Sequence, residues 1–245
     1  MKKHKIRENI IYNGSLFEVV PKLNQKFDMI FCDPPFNLGK DYKSQINDLK
    51  NEQEYLKWTY EWLDIMVENL KEGGSLFVYN IPKWNVHIAQ YLMTKLEFRH
   101  WIAIDMTLGF PIKNKLYPSH YSLLYFTKGK PKTFNQVKVP IETCRHCGKD
   151  IKDYGGHRSK VEKGTNLKDV WTDIGKVSGH KNRKANELPE KLLERVIAIS
   201  TNPGDIILDP FAGSGTTLAV ADKMKRKAIG IEIDDCEDIL KRLRK

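Results

Sequence analysis

Asp33-Pro34-Pro35-Phe36 closes a short apolar run, and its residue types suit one particular chemistry. The exocyclic amino group of adenine or cytosine is conjugated with its ring, so its lone pair is a poor nucleophile. A carboxylate accepting one of its N–H bonds and a carbonyl accepting the other favour a more tetrahedral nitrogen. They also stabilise the positive charge that grows on that nitrogen as an alkyl group arrives. Asp33 can supply the carboxylate, and the carbonyl of Pro34 is the second acceptor, because two consecutive prolines restrict its direction. Phe36 offers a flat face on which an extruded base can stack. The same four residues also describe a Pro-Pro turn with a capping aspartate and a core phenylalanine, so a second constellation has to decide.

Asp209-Pro210-Phe211-Ala212-Gly213-Ser214-Gly215-Thr216-Thr217 provides one. It follows an apolar strand and opens a helix, where glycines let the backbone turn tightly and free N–H groups face a ligand. No lysine follows Gly215, which argues against a phosphate loop for ATP. Glu232 ends the next strand, where an acid can hold both ribose hydroxyls of a nucleoside, and Asp209 can hold an amine. A ligand with an amine, a carboxylate and a ribose but no phosphate describes S-adenosylmethionine.

These loops need a scaffold that ends strands beside each other. Lys26–Cys32 reads as a strand stopped by proline. Residues Glu52–Lys71 read as a helix, with Tyr55, Trp58, Trp62, Met66 and Leu70 on one face, ended by Gly73-Gly74. Ser75–Tyr79 is a strand, Val86–Lys95 a helix, and Trp101–Met106 and Tyr121–Phe126 are strands. After a long irregular segment the alternation returns: helix Leu188–Ile199, strand Asp205–Asp209, helix Thr216–Lys223, strand Lys227–Ile233. Such alternation predicts an α/β fold, a parallel sheet with helices on both faces. The expected organisation is two halves of one domain, residues 1–127 and 184–245, around an insertion at 128–183.

The net charge of +10 has a location. Residues 111–185 hold 17 Lys/Arg and 6 Asp/Glu, and the rest of the chain is nearly neutral. A basic segment on a neutral protein predicts a polyanionic partner, with a solvated basic face as the plain alternative. No apolar run approaches the roughly 20 residues needed to cross a bilayer, and no apolar core follows the basic start, so no membrane association is expected. The four cysteines do not form a disulfide framework, which fits a reducing cytoplasm. Cys144 and Cys147 have the spacing of half a tetrahedral zinc site, with His146, His157 and His180 as candidates for the rest; no second Cys-x-x-Cys exists, and two partly buried thiols in a turn are the plainer reading.

Taken together, Lys26–Tyr42 and Asp209–Thr217 resemble the catalytic and cofactor motifs of the bacterial N6-adenine/N4-cytosine DNA methyltransferases. Catalytic motif, basic segment and cofactor motif occur in the order of that family's beta class. The resemblance implies a Rossmann-like methyltransferase sheet in circularly permuted order, with a target-recognition insertion in the middle. It implies that Asp33, Pro34, Pro35 and Phe36 hold the target base. It further implies that Phe211, Gly213, Ser214, Gly215, Thr216 and Thr217 surround the methionine part of S-adenosylmethionine, and that Glu232 holds its ribose. The partner would be double-stranded DNA, with a cognate restriction endonuclease and a homodimer as family expectations. Aspartate rather than serine at position 33 points to adenine N6 over cytosine N4. Gly14-Ser15 and Lys184-Ala185-Asn186-Glu187-Leu188-Pro189 depart from the family's usual residues near the cofactor. Two other readings keep the fold: a non-catalytic DNA-binding relative acting as a specificity or regulatory partner, and an enzyme acting on RNA or protein.

Overall fold

The computed structural model describes residues 2–39, 50–105, 113–114, 116–141, 143, 146–149, 164–174 and 187–244. The N-terminal half runs β1 (Lys2–Ile6), β2 (Asn9–Asn13), α1 (Leu16–Val19), β3 (Phe27–Cys32), α2 (Glu52–Asn69), β4 (Leu70–Asn80), α3 (Pro82–Leu92), β5 (Glu97–Asp105) and β6 (His120–Thr127). The basic segment contributes three two-residue strands, β7 (Lys138–Val139), β8 (Thr165–Asn166) and β9 (Val170–Trp171). The chain closes with α4 (Glu190–Ser200), β10 (Ile206–Asp209), α5 (Thr216–Lys223), β11 (Lys227–Glu232) and α6 (Glu237–Leu243).

Nine strands form one sheet in the order β1-β2-β11-β10-β3-β4-β6-β5-β9. β1 and β6 run against the others. The expected α/β sheet is present, with β6 antiparallel at one side and an N-terminal hairpin, unforeseen from sequence, at the other. β3 is buried at all six positions, as a central strand covered on both faces must be. Its alternate residues feed two separate cores. Met29 and Phe31 pack in the core with residues of α4, α5 and α6, whereas Ile30 and Cys32 pack in the core with residues of α1, α2 and α3. Helices from the first half of the chain thus cover one face and helices from the second half the other.

Several boundaries differ from the sequence reading. Gly73 and Gly74 do not end α2; the helix stops at Asn69 and both glycines lie inside β4. Residues 128–132 pass close by: Gly73 N–H donates to the Lys128 carbonyl, and the Gly73 carbonyl accepts from Lys132 N–H. A Cβ on Gly73 would meet the Lys132 backbone at 2.8 Å, so the glycine permits a close backbone crossing. α3 begins four residues before the expected Val86, at Pro82, where a missing N–H costs nothing. The basic segment is partly woven into the main fold. β9 pairs with β5 through Ile104 and Trp171, and Trp171 is buried. Asn135 donates from its backbone N–H to the Ile199 carbonyl, beside the end of α4.

Candidate active site

β10 and β3 lie side by side and parallel, with Leu208 opposite Ile30. From β10 the chain crosses to β11 on one side, and from β3 to β4 on the other. The strand order therefore reverses between them, and in open α/β sheets ligands bind outside the carboxyl ends of strands at such a point. Both motifs leave the sheet there: Asp33 follows β3 and Asp209 ends β10. Cys32 sits within reach of both acids. Burial first, then the Asp209 and Asp33 charges, push its thiol well above its ordinary value.

The loop after β3 is pinned by side chains from α2 and α3. Tyr55 donates its hydroxyl to the Pro35 carbonyl at 2.7 Å, and Asn80 donates to the Tyr55 oxygen at 3.2 Å. Trp84 donates its indole N–H to the Phe36 carbonyl at 2.7 Å. Asn37, at φ +55°, exchanges two hydrogen bonds with the Lys50 backbone, fixing both ends of the segment between them. The carbonyls of Pro35 and Phe36 are thus engaged, while no donor among the described residues reaches the carbonyl of Pro34. Pro34 is buried and Asp33 half-buried. Phe36 retains 9% of its surface, because Tyr79 and Tyr121 pack around it, with each ring centre 5.9 Å from the Phe36 ring and 5.2 Å from the other. Tyr79 lies near Asp33: burial, then the Asp33 charge, then Tyr121 raise its phenol well above the usual value. Tyr79 and Tyr121 were not singled out in the sequence; both are aromatic residues in apolar strands, and only the sheet order brings them to Asp33.

The loop after β10 is built on Asp209 and Glu232. Asp209 is 3% exposed, and its Oδ1 accepts from the Phe211 N–H at 3.0 Å. Burial pushes its carboxyl up to about 6, against the pull of the Thr217 hydroxyl and the Phe211 N–H, with Glu232 adding to the rise. Glu232 bridges two loops: Oε2 accepts from Gly213 N–H at 2.7 Å and Oε1 from Asp234 N–H at 2.9 Å. A carboxylate has about four acceptor positions, so this one can still accept from another donor. Burial raises this carboxyl too, opposed by those N–H groups. Gly215 caps α5 in the left-handed region at φ +78°, and a Cβ there would meet Ile239 of α6 at 2.8 Å. Ser214 and Thr216 share a hydrogen bond at 3.2 Å, and Thr216 and Thr217 are buried.

Further contacts resolve residues whose use was open in the sequence. Arg242 of α6 donates to the Ser214 carbonyl at 2.9 Å and pairs with Glu187. Glu187 therefore anchors the loop through Arg242. Ser15 caps α1, accepting from Phe17 N–H at 3.3 Å, and Gly14 N–H donates to the Glu232 carbonyl at 2.9 Å. Phe211 packs edge-on against Trp62 at 5.3 Å and Trp58 at 6.1 Å, and Trp58 lies 5.7 Å from Tyr55. The aromatic face of α2 so joins the loop that carries Asp33 to the loop that carries Gly213. Sequence periodicity supplied that face, but not the fact that both loops rest on it.

The donor set fits S-adenosylmethionine. The loop from Asp209 to Thr217 has no cation, and two half-buried or buried carboxylates stand beside it, which would repel a phosphate and suit a ligand carrying ammonium and sulfonium charge. For the possible zinc site, Cys147 is exposed, whereas Cys144, His157 and His180 lie outside the described residues. Among the described residues there is no cluster of three or more His, Cys, Asp or Glu able to hold a metal. No helix among them is long and apolar enough to cross a membrane.

Sheet order and paired loops define the class of Rossmann-like methyltransferases. Comparison with known proteins narrows it. The N6/N4 methyltransferase family, described as DNA methylase, matches residues 27–241, and this chain belongs to that family. It is 54% identical over 241 residues to the type II methyltransferase M.BamHI of Bacillus amyloliquefaciens, covering 96% of this chain and 56% of M.BamHI. It is 32% identical to the type II methyltransferase M1.MboII of Moraxella bovis, covering 92% of both chains. The chain thus spans little more than half the length of M.BamHI and nearly all of M1.MboII. In fold it is similar to M1.HpyAVI in its complex with SAM, with a TM-score of 0.66 at 24% identity, over 97% of this chain and all of that one.

Proposed function

We propose that this chain transfers a methyl group from S-adenosylmethionine to the exocyclic amino group of a base in double-stranded DNA, at a specific sequence. The observation that carries the reading is the carbonyl pattern after β3. The carbonyls of Pro35 and Phe36 are taken up by Tyr55 and Trp84, which leaves the Pro34 carbonyl as the backbone acceptor next to Asp33, at the sheet edge where the second loop also begins. In this reading Asp33 and the Pro34 carbonyl each accept one N–H of the amino group, and Asp33 takes the proton that the nitrogen releases. When bound, S-adenosylmethionine supplies the electrophilic methyl group. Glu232 holds its ribose, Asp209 its amine, and residues 211–217 its methionine part. Phe36, Tyr79 and Tyr121 together form the wall against which the extruded base rests. Residues 128–183, with most of the excess positive charge, form the target-recognition part.

Asp33 supports adenine N6 as the target. Cytosine N4 is the second reading, because it presents the same amino group to the same two acceptors. Methylation-sensitive sequencing of DNA from cells expressing the chain names base and site together. Purified Asp33→Ala should lose methyl transfer by at least ~10²–10³-fold while binding S-adenosylmethionine within about threefold of the wild type. Full activity in that variant would overturn the mechanism; failure of the wild type to bind the cofactor would favour a non-catalytic DNA-binding role.

A further inference from the structure

We infer that Leu116 enters the base stack and fills the space that the extruded base leaves. The inference rests on the methyltransferase reading and adds to it the residue that keeps the base out. β4 runs parallel to β3, pairing Val78 with Cys32, and β6 runs antiparallel to β4, pairing Ser122 with Asn80. The start of β6 therefore lies on the sheet edge that bears Asp33, and residues 116–119 approach it there. Leu116 precedes Tyr121, whose ring packs on Phe36, by five positions. That length of chain spans at most about 17 Å, twice the ~8.5 Å depth of a DNA major groove.

Leu116 is 94% exposed, and Tyr117 beside it is 49% exposed. An apolar side chain held wholly in water forgoes roughly 1.5–3 kcal/mol of burial, which makes it a candidate for burial in a partner. The partner's chemistry follows from the neighbouring charge. Residues 106–119 include Lys113 and Lys115 and no acid, and His120 follows. An exposed apolar side chain with cations close to it in sequence matches a partner that is anionic outside and apolar inside. Duplex DNA has that construction, and apolar wedges between bases are a known way of unstacking it.

The test uses the full chain and a duplex carrying the site found by sequencing, in two forms. One is fully paired; the other has the target base opposite an abasic position, so that it is already loosely held. 2-Aminopurine next to the target base reports extrusion by a rise in fluorescence, independently of methyl transfer. Leu116→Ala should lose most of that rise and methylate the paired duplex about tenfold more slowly. It should match the wild type within twofold on the abasic duplex and in S-adenosylmethionine binding, and Leu116→Phe should restore both readouts. Wild-type behaviour of Leu116→Ala on the paired duplex, or an equal loss on both duplexes, would overturn the inference. So would the same pattern in Leu38→Ala instead, since Leu38 is 52% exposed on the loop after Phe36. A wild type that methylates neither duplex would overturn the activity itself, and the wedge with it.

Discussion

Asp209 carries the motif that sequence alone reads as a ligand contact, yet the fold uses its carboxylate first to shape its own loop. With 3% exposure it accepts from Phe211 N–H, and burial holds its pKa near 6 against an ordinary 3.8. A carboxyl whose pKa is higher in the folded state binds its proton more tightly there. Its contribution to stability is full below pH ~4 and is lost as pH rises through about 6. Asp209→Asn keeps an oxygen for Phe211 N–H and cannot ionise. Relative to the wild type, the cofactor-free variant should therefore gain up to about 3 kcal/mol in urea-unfolding free energy between pH 4 and pH 7.5. A difference that does not change with pH would mean that folding does not raise the Asp209 pKa. Asp33 has a different setting, half-buried at the strand end, two and three residues before the engaged carbonyls of Pro35 and Phe36. The sequence distinguished the two aspartates by position but not by environment, because burial depends on which strands become neighbours.

At the scale of elements, the second loop depends on a helix that the sequence reading did not identify. α6 places Ile239 against Gly215 and Arg242 against Ser214. Gly215→Ala adds a methyl group at 2.8 Å from Ile239 in a left-handed backbone conformation. Strain and overpacking together should destabilise the protein by about 2–4 kcal/mol and weaken cofactor binding; thermal melts and isothermal titration would measure both. Ile239→Ala in the same chain should recover part of the loss, which a purely conformational penalty would not allow. Long periodic segments were legible: α2 and the strands carrying Cys32 and Asp209 fall within two residues of their expected ends. The glycines at 73 and 74 misled because glycine marks a helix end and a close backbone crossing equally well. Nothing in the local sequence reveals that residues 128–132 pass by. The N-terminal hairpin was missed because β1 is an exposed edge strand of mostly charged residues with no apolar alternation to betray it.

For the whole molecule, charge and connectivity matter most. The excess positive charge lies between the two motifs in sequence, so DNA affinity should depend strongly on salt. Duplex binding should weaken by at least ~100-fold between 50 and 200 mM salt, while S-adenosylmethionine binding, through the carboxylate and backbone contacts proposed for it, should change less than threefold. Filter binding and titration calorimetry across that range separate the two; parallel losses would place DNA affinity elsewhere than in phosphate contacts. The order of motifs was readable from the chain, but their meeting was not, since it is created by the pairing of β10 with β3. There the Ile206 N–H donates to Asp28 across 178 residues of chain. On a ribosome adding ~5–20 residues per second, the strand that bears Asp33 waits roughly 10–40 seconds for the neighbour that completes its sheet. Throughout that time the nascent chain has an open strand edge and no cofactor loop. It would be chemically silent and prone to pair with other chains, and its yield in cells should depend on the holdase chaperones that cover such edges.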